Sequence, residues 1–389
     1  MHHEIRDHGD QLALPAVFMR GGASKAVVFK RRDLPDDCAH WDALFLSLMG
    51  SPDPYGRQLD GMGGGNSSLS KVCIIDKPSR PDADIDYTFG QVEIGAARVD
   101  YKGSCGSMAT AMGPFAVDEG LVAAPAEGEA TVRIHDVNAR KIIVSRFPVR
   151  HGKAAVAGDI AMDGVAGTGA PVSLDFLDPG GAATGLLLPT GAVTDEINVE
   201  GLGTVAFSFV DASNPVMFVE AASMGMHGTE LPAEIESTPG LLERIDLLRR
   251  SVTVKVGAAT DLEAARAVSL PRIAFVAAPR DSETLSGSRL QASDLDILVR
   301  MIGRGKPHRA VPVTTALCLA VACRLPGTLP RRLLSESAAR SAIRIGHPSG
   351  TWSVDAEVEE NQGTWHARSA TATMTARRLF EGHVLVPRR

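Results

Sequence analysis

Aromatic residues, cysteines, basic charge and long apolar runs are all scarce in this chain, and each shortage removes a class of function. Phe, Trp and Tyr supply 5% of the 389 residues, and the formal net charge is -6. A nucleic-acid surface needs a basic face and aromatics to stack on bases, so both signals for that partner are missing. The five cysteines are Cys38, Cys73, Cys105, Cys318 and Cys323, an odd number with no pair at the two-residue spacing that zinc prefers. They read as free thiols in a reducing compartment, and no metal site is expected. Apolar runs such as Ala316 to Ala322 fall well short of the roughly 20 residues that span a bilayer. Met1 to Asp10 is polar and charged, unlike a secretory signal. A cytoplasmic protein with no membrane partner is expected.

What is present is an ordinary globular composition, 44% hydrophobic and 22% charged. At this length one hydrophobic core stops growing, so two domains or two halves are expected. Short apolar runs separated by Gly, Pro and Asp predict strands at Ala16 to Met19, Ala26 to Phe29, Val72 to Ile75, Asp86 to Ile94, Ala130 to His135 and Ile142 to Val149. Two apolar segments of helical length, Gly106 to Gly120 and Thr314 to Leu325, would each sit inside a sheet. Gly240 to Ser251 has the amphipathic pattern of a surface helix. A Gly-rich turn, strands and a helix opening on a small polar or thiol residue recur in each half, which suggests duplication. Pro179 to Thr194 reads either as the crossing between halves or as a loop over a site, with the boundary near residue 188.

Three glycine-rich clusters hold polar residues: Met19 to Lys25, Asp60 to Lys71, and Gly103-Ser104-Cys105-Gly106-Ser107. Glycines let backbone amides approach a ligand, so such clusters suit anions; tight turns in a strand-rich protein account better for any one of them alone, and the three together shift the balance toward a site. No dinucleotide unit surrounds Gly61 to Asn66, the Walker pattern is absent, and no Gly-x-Ser-x-Gly or His-Glu-x-x-His occurs. Cys105 stands where a Gly-rich turn enters a helix, a reactive-cysteine setting. The other four cysteines lie among apolar neighbours and read as small buried hydrophobes. Lys71 ends a polar run and begins an apolar strand. That draws its amine into a partly desolvated site, where the neutral base is favoured, unless it snorkels to water.

Seven segments in order carry a resemblance: Met19 to Lys25, Gly50-Ser51-Pro52-Asp53-Pro54, Asp60-Gly61-Met62-Gly63-Gly64, Ser70-Lys71-Val72, Cys105-Gly106, Leu188-Pro189-Thr190-Gly191 and Gly346-His347-Pro348-Ser349-Gly350. Over almost the whole chain they resemble the PrpF family, which includes 2-methylaconitate isomerases and has methylitaconate isomerase and 4-oxalomesaconate tautomerase among its relatives. The resemblance implies an α+β fold like that of diaminopimelate epimerase, with two pseudo-symmetric halves, each an antiparallel β-barrel wrapped around a central helix. The halves would be residues 1–188, holding Lys71 and Cys105, and 189–389, with the last strand returning to the first half.

By the same resemblance Lys71 matches the family's proposed base and Cys105 its active-site cysteine. The epimerase's second thiol position is filled here by Thr314-Thr315-Ala316, which argues against a two-thiol racemase. Ala23 and Ala26 replace a Thr and a Gly, Ser104 and Ser107 stand where the family often has Asn, and Leu186 stands where relatives often carry Lys.

The expected activity is therefore a cofactor-independent isomerisation of a small unsaturated polycarboxylate of the aconitate type. Lys71 removes a proton, a dienolate forms, and reprotonation shifts the double bond or follows rotation to give cis-trans isomerisation. Amides at the helix start, those of Gly106, Ser107 and Met108, suit the developing charge. Arg20, Ser24, Ser67, Ser68, Thr314 and Ser349 are the candidate carboxylate contacts. Arg20 offers either a bidentate fork or a structural ion pair. His308 and His347 rank behind them. The rivals are an amino-acid racemase, a lyase or hydratase partner, 4-oxalomesaconate tautomerisation, and a non-catalytic polycarboxylate-binding helper of an aconitase-type dehydratase. A homodimer is the expected assembly.

Overall fold

The computed structural model describes residues 6–101, 103–162, 164–268, 270–303, 305–335, 338 and 342–388. The chain divides into two compact units, Met1–Asp175 with Thr373–Arg389, and Phe176–Ala372.

The first unit contains β1 (Gln11–Gly21), β2 (Ser24–Lys30), β3 (Lys71–Asp76), β4 (Ile85–Val92), β5 (Glu127–Asp136) and β6 (Lys141–Arg150). All six strands expected from the sequence are here. The C-terminal strand Ala376–Pro387 runs antiparallel to β1 along that strand's whole length. From β1 onward the ladder reads antiparallel to β2, parallel to β3, antiparallel to β4, parallel to β5 and antiparallel to β6. Parallel neighbours cannot be joined by a tight turn and need a crossover. The β2-to-β3 connection carries α1 (Trp41–Met49) and the glycine-rich loop, and the β4-to-β5 connection carries α2 (Gly106–Asp118).

Ala26 to Phe29 are all buried because both faces of the sheet are covered. Val27, Phe29, Val72 and Ile74 pack with Phe45 and Leu48 of α1. Eleven of the thirteen residues of α2 are buried. Full burial of Met108, Met112 and Phe115 contributes about 1.5–3 kcal/mol each. Gly113 lets α2 press on β6, since a methyl group there would lie 2.6 Å from Ser145 Oγ.

The second unit repeats this ladder with β7 (Gly203–Ala212), β8 (Asn214–Glu220), β9 (Arg272–Ala277), β10 (Ile297–Gly303), β11 (Ile343–His347) and β12 (Gly350–Asn361). The order is again antiparallel, parallel, antiparallel, parallel, antiparallel. The amphipathic helix α3 (Leu241–Lys255) packs Ile245 and Leu248 against Phe207, Phe209 and Phe275. The crossover between β10 and β11 carries α4 (Val313–Arg324), whose residues Thr315 to Cys323 are all buried. Each unit is thus a strand ladder built on one buried helix, and the two share one order of pairings.

The boundary expected near residue 188 lies inside the second unit. Pro179 to Thr194 is anchored there: Asp211 Oδ2 accepts from Ala183 N, Thr184 N and Thr184 Oγ1, Asp211 N donates to Leu187 O at 2.9 Å, and Thr194 Oγ1 donates to Gly327 O at 2.7 Å.

Candidate active site

The site is built from two facing rows in the first unit. Lys71 and Cys73 are two apart on β3, and Gln91, Phe89 and Tyr87 are two apart on β4, so each row points to one face. Register places Lys71 opposite Gln91 and Cys73 opposite Phe89. Lys71 is 7% exposed, so its amine is drawn in. Its Nζ donates to Gln91 Oε1 at 2.6 Å and stands 4.8 Å from the centre of the Phe89 ring. The Cys73 thiol contacts Tyr87 Oη at 4.0 Å, and Tyr87 Oη donates to Cys105 O at 3.4 Å. Burial pushes the Cys73 thiol well up, with Cys105 adding to the rise and Lys71 opposing it. Burial likewise raises the Tyr87 phenol. Cys73 is thus two positions from Lys71 on β3 and is joined through Tyr87 to the Cys105 carbonyl.

Cys105 is the N-cap of α2, and its carbonyl accepts the first intrahelical bond from Ala109 N at 2.9 Å. The amides of Gly106, Ser107 and Met108 have no intrahelical acceptor in such a first turn. Ser104 Oγ donates to buried Asp136, whose carboxyl is raised by burial against the lowering bonds from Ser104 and from the Ala139 and Asn138 amides. Tyr87 thus holds the carbonyl of Cys105, and Asp136 holds the side chain of the preceding Ser104.

The two-residue turn between β1 and β2 lies on this helix start. A methyl group on Gly21 would lie 2.5 Å from Ser107 O, and one on Gly22 would lie 3.2 Å from Ser107 Cβ. Ser24 is buried beside this turn. Arg20 is half-buried, and its Nη1 donates to Gly22 O at 3.0 Å and Thr375 O at 2.8 Å. Burial first and Arg377 second lower its pKa from the usual guanidinium value. Ser67 is exposed and Ser68 half-buried in a short 3-10 turn. Asn66 Oδ1 caps that turn, accepting from Ser68 N and Ser68 Oγ at 2.9 Å each.

In the second unit Thr314 is half-buried in the first turn of α4, while Thr315 is fully buried and donates to Met301 Sδ. Ser349 lies in the β11–β12 turn, donating Oγ to Arg309 O at 2.6 Å and N to His347 Nδ1 at 3.2 Å. Burial, then Arg300, lowers His347 to about 4. His308 is also lowered by burial, then by Arg272, and it packs on Gly303. Cys318 and Cys323 are fully buried along α4, and burial pushes Cys323 up to about 12. Neither thiol stands at the start of α4.

Sequence reasoning passed over Gln58, Asn66, Tyr87, Gln91 and Asp136. Only Asn66 carried a local signal, since Asn just before Ser-Ser is a capping pattern. Among the described residues no three His, Cys, Asp or Glu side chains group to hold a metal ion, and no helix is long and apolar enough to cross a membrane.

A strand ladder repeated in each unit on one buried helix, with Cys105 as the N-cap of the first of these helices, is the fold class of the epimerases and isomerases. The model of the PrpF protein family matches residues 11–387. The chain is 41% identical over 391 aligned positions to a 2-methyl-aconitate isomerase of Cupriavidus necator, covering 98% of both, and 40% identical over 380 to a 3-methylitaconate isomerase of Eubacterium barkeri, covering 97% and 98%. The crystal structure of a methylitaconate-delta-isomerase superposes with a TM-score of 0.88 at 39% identity, covering 97% of each chain. A hydroxyproline epimerase from Agrobacterium vitis, at 12% identity and TM-score 0.51 over 97% of this chain and 93% of its own, shares the fold alone. The chain belongs to the PrpF family, and it is an isomerase.

Proposed function

We propose that this isomerase acts on a small unsaturated polycarboxylate of the 2-methylaconitate or aconitate type, with Lys71 as the base. The observation that carries the reading is the buried Lys71 amine, held at 2.6 Å by an uncharged acceptor, on a strand whose Cys73 is joined through Tyr87 Oη to the carbonyl of Cys105, the N-cap of α2. A carbon acid next to a C=C conjugated with a carboxylate gives up its proton to the Lys71 amine, and the electron pair of the C–H bond spreads through the double bond onto carboxylate oxygens. The amides of Gly106, Ser107 and Met108 stabilise that charge where it develops. Lys71 or Cys105 then returns a proton to the far carbon, which moves the double bond. If the anion rotates and the proton returns to its origin, the same intermediate gives cis-trans isomerisation.

Arg20, Ser24, Ser67, Ser68, Thr314 and Ser349 are proposed to bind the carboxylates. No cofactor is needed for a proton shift through so delocalised an anion. The five free thiols suit a reducing cytoplasm, the net charge of -6 disfavours a nucleic-acid partner, and a homodimer is the assembly proposed on general prevalence. The test is proton NMR of the protein in deuterated water with trans-aconitate, 2-methylaconitate, methylitaconate and 4-oxalomesaconate. Double-bond movement or deuterium entry in one of them is expected, and silence with all four would contradict the proposal.

A further inference from the structure

We infer that Gln91 is the positioning residue of Lys71, an inference that rests on the reading of Lys71 as the base. A glutamine amide has a donor end and an acceptor end, and its neighbours decide which way it points. Here Nε2 donates to Ser70 O at 2.8 Å and to Ser67 O at 3.1 Å, and it also approaches Val92 O at 3.5 Å. With the donor end committed to backbone carbonyls, Oε1 must face Lys71 Nζ. A flipped amide would set its oxygen against carbonyl oxygens and its N–H groups against the amine.

The support behind the amide is itself fixed. Ser70 Oγ donates to Val92 O at 2.9 Å and accepts from Gln58 Nε2 at 2.7 Å. Gln58, in turn, accepts from Gly65 N at 3.0 Å and also donates to Ser51 Oγ at 2.9 Å. The acceptor presented to Lys71 is therefore anchored through the glycine-rich loop, and strand register sets Gln91 directly across from the amine.

The chemistry explains why the acceptor is an amide. An amide oxygen accepts an N–H from the lysine whether the amine is charged or neutral, and it cannot take the proton. It keeps Nζ in one place before and after proton abstraction. A carboxylate in the same position would clamp the ammonium form and oppose release of the proton to the substrate anion. The Phe89 ring, two positions from Gln91 on the same strand, stands with its centre 4.8 Å from Nζ and offers it only a π face.

The experiment compares wild type, Gln91→Met, Gln91→Glu and Lys71→Ala, with turnover, KM, the primary deuterium isotope effect on kcat and thermal unfolding measured on each. For Gln91→Met the expected result is a kcat lower by about 10–100-fold, the loss that misplacing a reacting group by about 1 Å produces. KM should stay within about threefold, and the isotope effect should rise as proton abstraction becomes limiting. Gln91→Glu, which keeps the shape, should lose more turnover than Gln91→Met. Gln91→Met turning over as wild type while Lys71→Ala is inactive would overturn the inference and leave the base assignment standing. Losses that merely track the folded fraction, with no change in the isotope effect, would also overturn it, as would a fully active Gln91→Glu. A Lys71→Ala protein as active as wild type would instead overturn the reading beneath it.

Discussion

Replacing Gly21 with alanine tests whether the β1–β2 turn sets the position of the helix start. The added methyl would lie 2.5 Å from Ser107 O, 3.1 Å from Met108 Cα and 3.2 Å from Ala111 Cβ, where ordinary contact begins at 3.4 Å. The carbonyl contact is thus about 0.9 Å too short (3.4 minus 2.5), and the first two obstacles are backbone atoms with no rotamer to change. Overpacking of this kind costs about 1–3 kcal/mol. At about 2–4 °C per kcal/mol for a unit of this size, the melting midpoint should fall by roughly 2–12 °C. Relief requires the turn and the first turn of α2 to separate, which moves the Gly106 and Ser107 amides relative to Lys71, so kcat should fall at least about tenfold. Gly95→Ala is the control, since nothing lies within 4 Å of a methyl group there. Differential scanning fluorimetry and steady-state turnover read both effects. A Gly21→Ala protein that melts and turns over like wild type would refute the argument that this packing fixes the amides.

Two further predictions concern stability. His347 drops from 6.5 unfolded to about 4 in the fold, so the native state binds its proton less readily; stability is full above pH 6.5 and lost as the pH falls toward 4. The difference of about 2.5 units corresponds to about 3 kcal/mol. Urea unfolding at pH 7.5 and pH 4.5 should show wild type losing about 2–3 kcal/mol more than His347→Asn, whose amide oxygen can still accept from Ser349 N; equal losses would contradict this. Gln58→Leu leaves Ser51 Oγ, Ser70 Oγ and Gly65 N without their amide partner and should cost about 2–4 kcal/mol by urea unfolding, whereas a change under about 1 kcal/mol would show that the loop does not depend on it.

The sequence made the ladder readable where apolar runs are bounded by turn residues, as at Val72 to Ile75 and Ile142 to Val149, and it made α2 and α4 readable as apolar helices among strands. Cys105 stood out because a Gly-Ser-Cys-Gly turn entering a helix is a local pattern. What stayed hidden depends on partners far along the chain. Gln91 gains meaning only from the register that sets it against Lys71, twenty positions earlier, and Tyr87 only from reaching the carbonyl of Cys105. Asp136 looks like the end of a strand until Ser104, thirty-two positions before it, is seen to bind it. The boundary was misplaced for the same reason, since Asp211 gathers Ala183 and Thr184 into the second unit. Arg20 Nη1 is given to two backbone carbonyls, one of them 355 positions away, a contact that no local pattern signals.

The most direct test of the account is solvent deuterium entry into 2-methylaconitate, or whichever polycarboxylate the protein turns over, followed by proton NMR for wild type and Lys71→Ala at matched folded concentration. The account predicts exchange at the carbon acid by wild type and its loss, together with loss of double-bond movement, in Lys71→Ala. Exchange at the wild-type rate in Lys71→Ala would contradict it and would move the base to another residue.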